Sequence, residues 1–348
     1  MRTAENRFIS PSGKYKFPGV FIRCNQRPKN GKENRMEIQN TYKPEGFLLE
    51  SEQNRAYTSS IYMLEKAMKN GIILEGIAKM CDCTDMSLKV DLGFCEGIIP
   101  REEAMTLSAG AKDIAIISRV GKPVCFKIRS IIRDGGRPLA ILSRRAAQEE
   151  CERNFISSLT PGDIIPAVVT HLDTFGAFVD IGCGIISLIC IDSISVSRIF
   201  HPSDRLRAGQ RIMSIVKSRD RETGRIYLSL RELLGTWKEN ADNFSPLSTV
   251  PGIVRSIEPY GVFVELAPNL AGLAELRDDV LPGDHCSVYI KNIIPERMKV
   301  KLIIIDTCSP VPLPPLKYYI DTNNVRHLSR WIYSPSASGK KVETVFDP

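Results

Sequence analysis

The stretch Thr174-Phe175-Gly176-Ala177-Phe178-Val179-Asp180-Ile181-Gly182 is partly written twice. Pro259-Tyr260-Gly261-Val262-Phe263-Val264-Glu265-Leu266 repeats its order of aromatic, glycine, small apolar, phenylalanine, valine, acid and aliphatic. Pro166 and Pro251 fall into the same register, as do Ala167 and Gly252. A repeat at this spacing marks a duplicated unit, so 348 residues divide into several small domains rather than one large core. In each copy two aromatics three positions apart flank a glycine at the start of a Val-rich run. On a regular strand such residues point to opposite faces. A bend or bulge at the glycine brings both rings onto one solvent-facing platform, which suits stacking against unpaired bases.

Composition excludes other classes. Hydrophobic content of 43% and charged content of 25% belong to an ordinary soluble chain. No apolar run approaches membrane-spanning length, and the N-terminus lacks a signal-peptide apolar core, so a cytoplasmic protein with no membrane partner is expected. The 10 cysteines are scattered. None form C-x-x-C, and Cys81-x-Cys83 has no second pair at zinc-ligand spacing, so reduced thiols and no metal are expected. The net charge is +7, and residues 1–60 carry +5 of it in a polar, Asn-rich text of weak periodicity. Such an arm is expected to be disordered and suited to phosphate contact. The repeats are nearly neutral, so nucleic-acid binding there must rely on local patches and stacking.

Residues 1–57 read as the basic disordered arm. Ile61–Met68 has helical spacing and ends at Asn70-Gly71, a fitting C-cap. Residues 70–148 read as a degenerate first repeat of five strands, 158–235 as the second and 247–306 as a trimmed third. The trim lies between Glu275 and Gly283, far shorter than its counterpart from Cys190 to Gly209. Residues 307–348 hold a linker stiffened by Pro310, Pro312, Pro314 and Pro315. A terminal hairpin of Arg330–Tyr333 with Lys341–Phe346 follows. The fold class expected is all-β: three tandem five-stranded antiparallel barrels of the OB type with short connecting helices.

Gly162-Asp163, Thr174 to Gly182, Gly184-Ile185-Ile186, His201-Pro202, Ala208-Gly209-Gln210 and Gly224 to Leu230 carry a family pattern in its order. The second repeat resembles the RNA-binding domain named after ribosomal protein S1. The third matches through Tyr260–Leu266, Gly272-Leu273-Ala274, Pro282-Gly283-Asp284 and Arg297–Leu302, and the first only in outline. The three-barrel layout over 70–306 is similar to the shortened S1-like proteins of Gram-positive bacteria.

The resemblance implies base stacking on Phe175 and Phe178. It also implies contacts from Asp220 in the last hairpin and from Arg225 opening the fifth strand, with Lys217 and Arg219 nearby. In the third repeat it implies Tyr260, Phe263 and Arg297. The family's third-strand histidine is replaced by Cys190 in the second repeat and by Glu275 in the third, where Asp278-Asp279 adds repulsion toward phosphates. In the first repeat Met86 and Lys89 stand at the aromatic positions and Pro100 at the histidine one, so that platform is absent. Phe175 and Phe178 also fit a barrel core; the glycine between them and the polar text around them favour exposure. His171 and His201 read as junction and turn residues, and Cys190 as a half-buried thiol.

The function expected is non-catalytic single-stranded RNA binding, with mRNA as partner at the small ribosomal subunit, no cofactor and no small-molecule substrate. A protein-interaction scaffold or post-transcriptional regulator is the alternative. A ribonuclease-associated factor ranks below both, because 1–60 and 307–348 hold no catalytic set of carboxylates, metal ligands or activated nucleophile.

Overall fold

Alternation of apolar and polar residues writes five short strands three times, and each set buries its apolar face inside a closed barrel. The computed structural model describes residues 41–106, 113–133, 135–220, 222–310 and 315–346. The first barrel is β1 (Leu74–Cys81), β2 (Leu88–Asp91), β3 (Glu96–Ile99), β4 (Pro123–Ile132) and β5 (Leu139–Ser143). The second is β6 (Ile164–Asp173), β7 (Gly176–Asp180), β8 (Ile186–Cys190), β9 (Arg211–Arg219) and β10 (Ile226–Ser229). The third is β11 (Thr249–Glu258), β12 (Gly261–Ala267), β13 (Leu270–Ala274), β14 (His285–Ile294) and β15 (Lys299–Cys308).

The strands of a barrel are not all antiparallel. In each, the third and fifth run parallel, as Leu188 beside Tyr227 and Leu273 beside Lys301 show. A closed ring with an odd number of strands cannot alternate direction all the way round, so one parallel pair is obligatory. The interior of the second barrel is filled by Val169, Val179, Ile189, Ile215 and Leu228, all buried.

The bulge sits elsewhere than expected. In all three barrels the register slips in the first strand, between Ala78 and Met80, Val169 and His171, and Val254 and Ser256. The motif glycine has a different task. A Cβ on Gly176 would lie 2.4 Å from the Ile189 carbonyl oxygen, and one on Gly261, at φ +146°, 2.4 Å from that of Ala274. Glycine lets the second strand approach the third.

The arm expected to be disordered through residue 57 is ordered where it is described. Residues 41–57 enter the joint between the first two barrels, with Tyr42 and Glu45 buried; the rest of that expectation, 1–40, lies outside the described residues. Helix α1 (Glu52–Tyr57) is capped by Ser51, and α2 (Ile61–Lys69) by Ser60. The Glu75 carboxylate accepts backbone N–H bonds from Gly46, Leu48 and Leu49. Arg144, the first residue of α3 (Arg144–Asn154), grips both oxygens of Glu45 at 2.7 and 3.1 Å. The Glu45 backbone N–H in turn reaches Asp180 at 2.7 Å. Paired burial of this kind overrides the polar composition of the segment.

The second joint uses the equivalent motif acid. Glu265 sits between Arg205, from the second barrel's loop, and Arg255, whose Nε lies at 2.7 Å. Asn269 is fully buried and bridges Val196 to the carbonyls of Arg231 and Gly235. The proline linker falls mostly on residues 311–314, outside the described residues. From 315 the chain returns to the second barrel: the Met213 N–H donates to the Tyr318 hydroxyl, and Ile164 and Leu328 make backbone bonds to Arg326 and Gly162. The terminal hairpin, β16 (Arg330–Ile332) with β17 (Glu343–Val345), buries Trp331, Tyr333 and Phe346 in the shared core. The Tyr333 hydroxyl donates to the Asn269 carbonyl, tying the tail to the second joint.

Candidate nucleic-acid interface

Phe178 lies on β7 and points out of the barrel, because its neighbours Ala177 and Val179 point in. Phe175 precedes the strand, in the turn that delivers it, and is 50% exposed. Strand alternation therefore never sets the two rings on opposite faces, since only one is in the strand. They meet edge to face, centroids 5.6 Å apart at 89°. Tyr260 and Phe263 repeat the arrangement at 6.1 Å and 89°, with Tyr260 68% exposed. In the first barrel Met86 and Lys89 occupy these places, and no ring pair forms there among the described residues.

The cations divide into engaged and free. The Lys217 ammonium donates to Ser193 Oγ at 2.7 Å and lies 4.0 Å from Asp192. The Arg219 guanidinium donates to the Ser157 carbonyl at 3.0 Å. Both side chains are thus partly occupied in holding the hairpin. Arg225 is exposed just before β10, and its guanidinium has no hydrogen-bond or ion-pair partner among the described residues. Arg297 is exposed in the short turn Pro295–Arg297 before β15, rather than opening the strand.

Asp220 works inside its own turn. It accepts the backbone N–H groups of Glu222 at 2.9 Å and Thr223 at 2.8 Å. The Thr223 and Glu222 bonds hold its carboxyl below the ordinary carboxylate value. Cys190 is half-buried and pairs in register with Gly176, beside the ring pair. Glu275 and Asp278 are exposed at the corresponding edge of the third barrel, whereas Asp279 is paired with Arg277.

Sequence reasoning read His171 as a junction residue. Once the bulge at Thr170 is counted, His171 stands directly opposite Phe178. The imidazole is exposed and stacks on that ring, centroids 6.1 Å apart at 27°. The same bulge register in the other copies aligns His171 with Ser256 and Met80.

The band can be followed across the whole outer face. His171, Phe178, Leu188, Tyr227 and Ser218 are successive cross-strand partners in the second barrel. In the third the same places hold Ser256, Phe263, Leu273, Lys301 and Asn292. In the first they hold Met80, Lys89, Ile98, Ile141 and Ser130.

Comparison with known proteins fits this geometry. The family pattern of the S1 RNA binding domain matches residues 158–231, the second barrel. The chain is 30% identical over 274 residues to the small ribosomal subunit protein bS1 of Staphylococcus aureus (strain COL), spanning 74% of this chain and 67% of that one. It is 31% identical over 248 residues to the bS1 homolog of Bacillus subtilis (strain 168), spanning 70% and 62%. A crystal structure of a multidomain protein with nucleic acid binding domains from Streptococcus pneumoniae aligns over 68% of this chain and 73% of its own, at 14% identity and a TM-score of 0.22. On the strength of the Staphylococcus aureus relative, the chain belongs to the bS1 family of small ribosomal subunit proteins.

Proposed function

We propose that the chain is a non-catalytic single-stranded RNA binder that acts in translation with the small ribosomal subunit. Its second barrel holds unpaired bases on Phe175 and Phe178, and its third barrel adds a weaker platform on Tyr260 and Phe263. The observation that carries the reading is the ring pair itself. Phe175 leaves half its surface in water, although burying a phenylalanine side chain stabilises a fold by about 1.5–3 kcal/mol. A ring kept outside a barrel whose interior is full is available for a ligand with a flat apolar face. A stacked base contributes about 1–3 kcal/mol by substitution measurements.

Arg225, exposed just before β10, supplies a phosphate contact. Lys217, Arg219 and Arg297 add positive charge around the two hairpins, and Asp220 keeps the second hairpin in shape. Aromatic faces accept any base, so sequence preference is weak. The names of the relatives support the placement at the small subunit, and with it a cytoplasmic location.

The test is a titration of the full chain with a U-rich RNA at two salt concentrations, in wild type and in Phe175→Ala/Phe178→Ala. Wild type is expected to bind with a log–log salt slope of about −0.7 per phosphate contacted. The double variant is expected to bind far more weakly. Equal binding by the two proteins would overturn the platform, and a flat salt response would turn the reading toward a protein-interaction scaffold.

A further inference from the structure

The ring pair of the second barrel has a third member that its duplicate lacks. Phe178 meets Phe175 edge-on and His171 nearly face-parallel, so it is the central ring of three. The resemblance drawn from the sequence places an imidazole on the third strand, where this chain has Cys190. Here an imidazole stands instead on β6, on the opposite side of β7 from the third strand.

We infer that His171 is a base-contacting residue, which binds the unpaired base next to the one held by Phe175 and Phe178. Resting on the RNA-binding reading above, the inference fixes where the bound strand runs: toward the β6 flank of the platform rather than the β8 flank. Three observations support it. The ring is exposed and already lies at a stacking angle to its neighbour. Its nitrogens have no hydrogen-bond partner among the described residues, so they are free to meet a base edge or a ribose hydroxyl. The register-equivalent residues, Ser256 and Met80, offer no ring, so the contact is confined to the one barrel that also carries two phenylalanines.

The competing explanation is a cross-strand pair that merely shields Phe178. Affinity and thermal stability separate the two. A U-rich hexanucleotide RNA is titrated into the full chain carrying His171→Ala, His171→Phe or Phe175→Ala/Phe178→Ala, and each protein is melted in parallel. His171→Ala is expected to weaken binding about five- to tenfold, near the low end of the stacking range, with an unchanged melting temperature. His171→Phe is expected to stay within about twofold of wild type, because any flat ring stacks. The His171 ring-proton signal, identified by its loss in His171→Phe, should shift when RNA is added.

Wild-type affinity in His171→Ala, alongside lost binding in the double variant, would overturn this inference and leave the platform reading standing. Equal weakening by Ala and Phe, a lower melting temperature with unchanged affinity, or an unmoved ring signal would overturn it too. Wild-type affinity in the double variant would remove the platform, and the role of His171 with it.

Discussion

In the second barrel the outer band runs His171, Phe178, Leu188, Tyr227, Ser218, and in the third Ser256, Phe263, Leu273, Lys301, Asn292. Every position matches in register, down to the bulge at Thr170 and Arg255. One central phenylalanine and one leucine are shared, and the rest of the band has changed. The inward positions have not diverged in kind: Val169, Val179 and Ile189 answer Val254, Val264 and Ala274 around an equally closed ring. Close packing tolerates few changes inside a small barrel. Outward side chains have no such constraint, so two copies keep one backbone while their surfaces diverge.

The joints differ as well. Asp180 and Glu265 are the same motif acid, yet Asp180 faces the carboxylate-bearing Glu45, whereas Glu265 lies between two guanidiniums. Burial, and then the Glu45 charge, push the Asp180 carboxyl up to about 7 against the hydrogen bonds from the Glu45 and Gly182 N–H groups.

Removing the rings tests the inequality of the platforms most strongly. Phe175→Ala/Phe178→Ala should cost more RNA affinity than Tyr260→Ala/Phe263→Ala, by an amount approaching one stacked base, about 1–3 kcal/mol. Fluorescence titration of the full chain measures both, and equal losses would make the two barrels equivalent.

The joints can be compared through pH. A carboxyl whose folded value is raised contributes stability that is present at acid pH, below about 4, and lost as pH rises through about 7. Wild type should therefore lose unfolding free energy relative to Asp180→Asn between about pH 4 and 7, by up to ~1.4 kcal/mol per pH unit, with little further change above pH 7. Denaturant midpoints at the two pH values report it, and a constant difference between the proteins would remove the claim.

Glu275→Gln should raise the affinity of the third barrel's platform by about 1.4-fold to fivefold, since an exposed charge contact is worth about 0.2–1 kcal/mol. The gain should be absent when Tyr260 and Phe263 are already alanine. The smallest effect belongs to the hairpin cations. Arg225→Ala should flatten the log–log salt slope by about 0.7, the loss of one phosphate contact. Arg297→Ala should flatten it less, because acidic Glu275 and Asp278 flank that platform.

Much of the fold was legible because the repeat could be aligned with itself. Strand positions, the closed five-stranded rings and the ring pairs all follow from the two copies of one motif. The parallel strand pair was not legible as text, because it follows from ring closure and not from residue type. Nor was the ordered segment 41–57: Tyr42-Lys43-Pro44-Glu45-Gly46 is polar, and only its partners Arg144, Glu75 and Asp180, each distant in sequence, make it a joint. His171 escaped for a related reason. A histidine at the end of a strand has no local signature, and one bulged residue decides which face it takes.

The acid of the repeated motif carries a last consequence. Asp180 is two residues beyond Phe178 on β7, and Glu265 two beyond Phe263 on β12, so each platform shares a strand with the joint that anchors its barrel. An RNA that engages both ring pairs meets them at a set separation, as marks on a ruler. Oligonucleotides too short to span it would gain only the affinity of one barrel. The first length that reaches both would show a step in avidity, since the second contact becomes intramolecular.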